Sequence, residues 1–168
     1  MALKESQMIS KDGYKVFNRS QLQVEIEFNR EKHKGMLIMG KPGMGKTYAI
    51  RSPRMISAYE LAMQFQLNGI EAVNAMINNQ IQYSNLTVKI DDLGTEAEAK
   101  NFGTTLDVIP YVIQRIYDIN QVAEKPIALW MTTNLNMTML TERYGERVVD
   151  RIHEMCDIVV LQDSNLRR

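Results

Sequence analysis

Apolar and polar positions alternate along this chain in two distinct rhythms. Gly35-Met36-Leu37-Ile38-Met39 is apolar without helical spacing, as in a short strand covered on both faces. Leu86 to Ile90, Pro126 to Met131 and Ile158 to Leu161 read the same way. Between them the spacing becomes helical. Arg19 to Lys34 carries Leu22, Ile26 and Phe28 among charges, and Thr47 to Ile50 can begin a helix. A short extended piece near Met55-Ile56 precedes Ser57, a candidate N-cap for a helix through Tyr59, Leu61, Ala62 and Phe65 that ends at Asn68-Gly69. Ile70 to Gln82, Leu106 to Tyr117, Thr138 to Tyr144 and Val148 to Met155 complete the helical set, with Pro110 expected either in a first turn or at a kink. Strands alternating with helices predict an α/β fold, a parallel sheet with helices on both faces. Ligands of such sheets sit at the carboxyl ends of the strands.

The first strand runs straight into GKPGMGKT, residues 40 to 47, and then into a helix. That context makes Gly40-x-x-x-x-Gly45-Lys46-Thr47 a phosphate-binding hypothesis. Gly43 and Gly45 allow positive φ, so successive N–H groups can form an anion nest, and the helix N-terminus adds partial positive charge. Lys46 is expected to reach the β- and γ-phosphates, and the Thr47 hydroxyl to hold Mg²⁺. Gly40, Lys41, Pro42, Gly43, Met44, Gly45, Lys46, Thr47 and Tyr48 are together the candidate nucleotide-binding segment.

Three further strand ends carry chemistry. Leu86 to Ile90 ends in Asp91-Asp92, an acidic pair of the Walker B kind. Asp91 is expected to bind Mg²⁺, which lets two adjacent carboxylates coexist, and Asp92 to orient or deprotonate the attacking water. Trp130 to Asn134 places an amide, Asn134, where it can reach the γ-phosphate or the water; a helix-capping turn is the alternative. Arg143, Arg147 and Arg151 recur every four residues and are read as projecting from one side of a helical segment. They are either solvated partners of Glu142, Glu146 and Asp150, or a source of an arginine finger for a neighbouring subunit.

Composition narrows the setting. The chain has 168 residues, is 45% hydrophobic and 24% charged, and carries zero formal net charge. These values fit one globular domain, and net charge gives no push toward nucleic acid. No run is long enough to span a membrane, and the N-terminus lacks a signal-peptide apolar core, so a cytoplasmic location is expected. Cys156 is the single cysteine, which excludes an internal disulfide, and no Cys/His cluster suggests zinc.

GKPGMGKT, KIDDLGTE, TTNLNMTMLTERYGERVVDRI and the terminal DSNLR together resemble an AAA+ ATPase of the bacterial DnaC/DnaI helicase-loader group, close also to the IstB transposition ATPases. The likeness spans roughly Gly35 to Arg167. It implies a P-loop NTPase of AAA+ type that binds ATP and Mg²⁺ between subunits of a homo-oligomer and hydrolyses ATP, with slow turnover because Asp92 is shorter than the glutamate often found there. It implies that Asn134 is sensor 1, Arg151 the arginine finger, Arg147 its accessory and Arg167 sensor 2. Glu96 follows the acidic pair as in the family, without an assigned role. Residues 1–34 are expected to be an N-terminal extension and helix, and 35–168 a single ATPase core without a separate lid or helicase-binding domain.

The implied function is an ATP-dependent assembly factor in DNA replication, with a replicative helicase or a transposase as partner and single-stranded DNA as a further ligand. The alternative is a weakly hydrolysing nucleotide switch that regulates a transposase or another mobile-element partner. Residues 55–88 contain no Lys or Arg, which leaves Lys89, Lys100 and Lys125 as candidate DNA contacts, better read as scattered solvated lysines. Tyr14 or Phe17 is a candidate adenine-packing residue.

Overall fold

A computed structural model describes residues 7–163. In chain order its strands are Met8–Ile9 (β1), Lys15–Phe17 (β2), Gly35–Met39 (β3), Ile56–Ser57 (β4), Thr87–Leu93 (β5), Ala99–Asn101 (β6), Thr104–Leu106 (β7), Ala128–Thr133 (β8) and Cys156–Leu161 (β9). The helices are Arg19–Glu31 (α1), Lys46–Ile50 (α2), Ala58–Asn68 (α3), Ile70–Tyr83 (α4), Val108–Val122 (α5), Met137–Tyr144 (α6) and Glu146–Met155 (α7). The main sheet has seven strands in the order β1-β2-β9-β3-β8-β5-β4. Every neighbouring pair is parallel except β1 with β2.

Period-two alternation divides the core between the two faces of this sheet. Leu37, Val88, Ile90, Leu129 and Met131 face one side, where Leu61 and Phe65 of α3, Ile77 of α4, Ile113 of α5 and Ile152 of α7 cover them. Met36, Ile38, Ala128 and Trp130 face the other side, under Leu22 and Ile26 of α1 and Ile50 of α2. Helices therefore cover both faces. Three start on side-chain caps: Asn18 with Gln21 in a reciprocal capping box, Ser57 to the Glu60 N–H, and Asn136 to the Met139 N–H.

Three features depart from the sequence reading. The segment expected as an extension ahead of the core belongs to it: β2 pairs with β9, and α1 packs on the sheet. A hairpin, β6–β7, stands where no element was expected, turning at Phe102-Gly103, both with positive φ. Helix α2 agrees with the helix read from Thr47 to Ile50, and it stops there because Arg51 is already extended and Pro53 restrains the residue before it. Finally, Arg143 does not share a helix with Arg147 and Arg151. Gly145, at φ 92° and ψ 160°, separates α6 from α7, and Arg143 turns inward.

Candidate functional site

Strand β3 delivers the glycine loop to the carboxyl edge of the sheet. Gly43 and Gly45 have φ of 78° and 88°, as the nest reading requires. Lys46 is buried, and its Nζ donates to the Lys41 carbonyl at 2.7 Å. Burial pushes its pKa down, while Asp92 and then Asp91 hold it up. With one and a half turns of helix behind it, the loop offers an anion its nest N–H groups and Lys46 more than a macrodipole. Gly40 N–H bonds to the Thr133 carbonyl at 3.3 Å, fixing the loop's entry against β8. Met44 packs partly on the second core face, and Tyr48 is 80% exposed.

Strand β8 lies between β3 and β5, so the loop, the acidic pair and Asn134 emerge side by side. The Thr47 hydroxyl donates to Asp91 Oδ1 at 2.7 Å. The Thr132 hydroxyl donates to the same oxygen at 2.5 Å and accepts the Asp92 N–H at 3.0 Å. Between Ile90 and Leu93 the register with β8 shifts, and Asp92 sits there with φ 56°. This bulge re-aims the Asp92 carboxylate out of the strand's alternation. Burial, then the Asp91 charge, raises the Asp92 pKa above the usual carboxylate range, and Lys46 pulls it partly back.

A cleft of about 470 Å³ opens over these groups, lined by Pro42, Gly43, Gly45, Lys46, Thr47, Tyr48, Arg51, Asp92 and Asn134. A larger hollow of about 880 Å³ adjoins it on the α1 side and shares Thr47, Tyr48 and Arg51 with it. The Thr47 hydroxyl and Asp91 carboxylate are hard oxygen donors that suit Mg²⁺, an ion usually held by one or two carboxylates plus phosphate and water. Among the described residues no cluster of three or more His, Cys, Asp or Glu side chains could hold a metal, so the protein alone offers no cage.

No family model matches this chain, and no curated protein matches it either.

The remaining expected residues lie elsewhere. Arg151 stacks on the Tyr117 ring of α5, 4.0 Å from its centroid, with Glu154 at 3.6 Å. Arg147 is exposed on the same helix, and neither arginine lines the cleft. Arg167 lies outside the described residues. Phe17 is buried in the second core face, and Tyr14 bonds His153 Nε2 at 2.9 Å, so both candidate adenine-packing rings are committed within the fold. Lys100 and Lys125 are exposed, but Lys89 is not a solvated lysine. Its Nζ donates to the Ile50 carbonyl at 2.9 Å, capping α2, and burial lowers its pKa.

Two contributors escaped the sequence reading. Thr132 holds both members of the acidic pair, although only the neighbouring amide drew notice. Arg19, at the start of α1, lies over the glycine loop: a Cβ on Gly45 would meet its Nη2 at 2.6 Å. Nothing in the local sequence signals that approach, which depends on how α1 docks. Glu96, noted in the sequence without a role, is buried and accepts the Tyr144 hydroxyl, a partner that the sequence reading did not supply.

Among the described residues no helix is long and apolar enough to cross a membrane.

Proposed function

We propose that this chain binds Mg·ATP in the cleft at the carboxyl ends of β3, β8 and β5 and hydrolyses it as a P-loop NTPase of AAA+ type. The observation that carries the reading is the convergence of Lys46, Thr47, Asp92 and Asn134 on one cleft, with Asp91 hydrogen-bonded to Thr47. The interposed position of β8 supports it, because that order is what sets an amide between the phosphate loop and the acidic pair. Glycine-loop N–H groups and Lys46 bind the phosphates, with Arg19 near enough to add a further cation. Thr47 and Asp91 hold the Mg²⁺ ion, which supplies charge neutralisation at the β- and γ-phosphate oxygens. Asp92 orients the water and accepts its proton. Asn134 hydrogen-bonds the γ-phosphate or that water.

Turnover on this reading belongs to an assembly. Arg151 is held on Tyr117, away from its own cleft, so it serves the cleft of a neighbouring copy, with Arg147 beside it. Such fingers contribute roughly 10³–10⁵ in rate. The family resemblance extends the proposal to an ATP-dependent assembly factor on DNA, with a replicative helicase or transposase as partner. A second reading has support in the same observation: with Arg151 stacked on Tyr117, an isolated subunit binds ATP and barely hydrolyses it, as a nucleotide switch would.

The test mixes Arg151→Ala, which keeps its own cleft, with Lys46→Ala, which keeps its finger. Each alone should show little turnover, and mixtures should recover part of the wild-type rate. No recovery at any ratio, with mixed oligomers demonstrated, contradicts a finger acting between subunits.

A further inference from the structure

Four residues after Asp92 the chain buries a carboxylate that the proposed chemistry does not use. The Glu96 side chain is 0% exposed. Leaving a charge there is expensive unless donors surround it. Its Oε2 accepts the Gly94 N–H at 3.0 Å, and its Oε1 accepts the Tyr144 hydroxyl. The Tyr144 oxygen in turn accepts the same Gly94 N–H at 2.8 Å. Arg143 supplies the counter-charge, 3.5 Å from Glu96 Oε1, and its Nη2 donates to the Glu96 carbonyl at 3.1 Å. The guanidinium is itself held by a two-pronged contact to Asp107 at 2.6 and 3.0 Å.

Everything in this network converges on the turn after the acidic pair. Gly94 has φ 93°, and a Cβ there would fall 2.4 Å from Leu135 Cδ1, so the turn is pressed against the residue that follows Asn134. Thr95 closes the turn by donating its hydroxyl to the Asp92 carbonyl at 2.8 Å. On the other side, Thr133 Oγ1 donates to the Leu93 carbonyl at 2.9 Å. Tyr144 is the last residue of α6, immediately before the Gly145 break and the helix that carries Arg147 and Arg151.

We propose that Glu96 and Tyr144 are positioning residues, which clamp the Gly94 turn so that Asp92 faces the cleft and which tie that turn to the start of the arginine-bearing helix α7. The inference rests on the nucleotide reading above and deepens it, by naming the link between the hydrolytic carboxylate and the element that serves the neighbouring site. A carboxylate in a left-handed, bulged position is out of step with the strand ladder, so its direction depends on what holds its own N–H, at Thr132, and on what holds the residues that follow. The clamp does the latter with one N–H shared between two acceptors.

The decisive variant is Tyr144→Phe, which removes one oxygen and keeps the ring. Steady-state ATP turnover and hydrogen exchange with and without Mg·ATP are measured on the full chain. Ile77→Val, a core substitution in α4 that takes no part in this hydrogen-bond network, serves as a destabilised control. Tyr144→Phe should keep KM within about twofold and lose kcat by about tenfold to a hundredfold, the size expected when a reacting group is misplaced. In the wild type Mg·ATP should protect 40–50, 92–97 and 144–150 from exchange; in Tyr144→Phe it should still protect 40–50 and no longer protect 92–97 and 144–150. Wild-type kcat in Tyr144→Phe, or a loss that Ile77→Val reproduces, overturns the proposal. If the wild type binds without turnover, exchange decides alone: protection at 40–50 that never extends to 92–97 and 144–150 overturns the clamp and leaves nucleotide binding standing. Absence of protection at 40–50 in the wild type is a different failure, that of the nucleotide reading itself.

Discussion

Asp92 shows how one residue is set apart from its neighbour. Asp91 continues the strand and bonds Thr47 and Thr132, whereas Asp92 sits in the bulge with left-handed φ. Its surroundings favour the neutral acid, first by burial and then through the Asp91 charge. The folded chain therefore keeps that proton to higher pH than the unfolded chain does. Stability falls as pH rises from the unfolded carboxylate value near ~4 through the higher folded value, and the loss is complete above it. Asp92→Asn removes that loss. Its thermal midpoint should exceed that of the wild type at neutral pH, and the advantage should vanish below the unfolded value. Midpoints that coincide at neutral pH, or an advantage that grows in acid, contradict this account of the site. The same variant should bind Mg·ATP and fail to turn it over, since Lys46, Thr47 and Asp91 remain.

At the scale of elements, α6 and α7 are two helices because of one residue. Gly145 lies in a region of φ and ψ that a side chain resists, at a cost of order 1–3 kcal/mol. Gly145→Ala should lower the free energy of unfolding by about that amount, read as a shift of the denaturant midpoint at constant slope. An unchanged midpoint would mean the break is not structurally enforced. This junction also marks where sequence reasoning stops. Apolar runs located the buried strands β3, β5, β8 and β9, because a strand covered on both faces must be apolar throughout. Ser57 marked a helix start by local chemistry alone, and Pro110 falls in the first turn of α5. The four-residue spacing of Arg143, Arg147 and Arg151 suggested a single face, yet Gly145 lets Arg143 fold back onto Asp107 and Glu96. β1 and β2 are too short to show a period, and they exist because β9 offers an edge. The hairpin β6–β7 has strands of three residues each, too short to show a period, with Ala99 buried and Leu106 half-buried at its base.

For the whole molecule, the order of strands matters more than any single motif. The glycine loop and the acidic pair were both legible in the sequence, since each needs particular residue types at fixed spacing. That β8 inserts between them, and that Thr132 then bridges to Asp91, is a property of the sheet that no local window contains. The arginine helix lies outside the cleft for an equally global reason: α7 packs against α5, and Tyr117 takes the guanidinium. On the proposed reading, nucleotide binding would be a property of one chain and hydrolysis a property of several. The most direct test is an equilibrium titration of Mg·ATP into the wild type and into Lys46→Ala. The account predicts saturable, Mg²⁺-dependent binding by the wild type and affinity at least about tenfold weaker in Lys46→Ala, the loss of a charge-assisted contact, with the fold intact. No saturable binding by the wild type, or equal affinity in the two proteins, would contradict it.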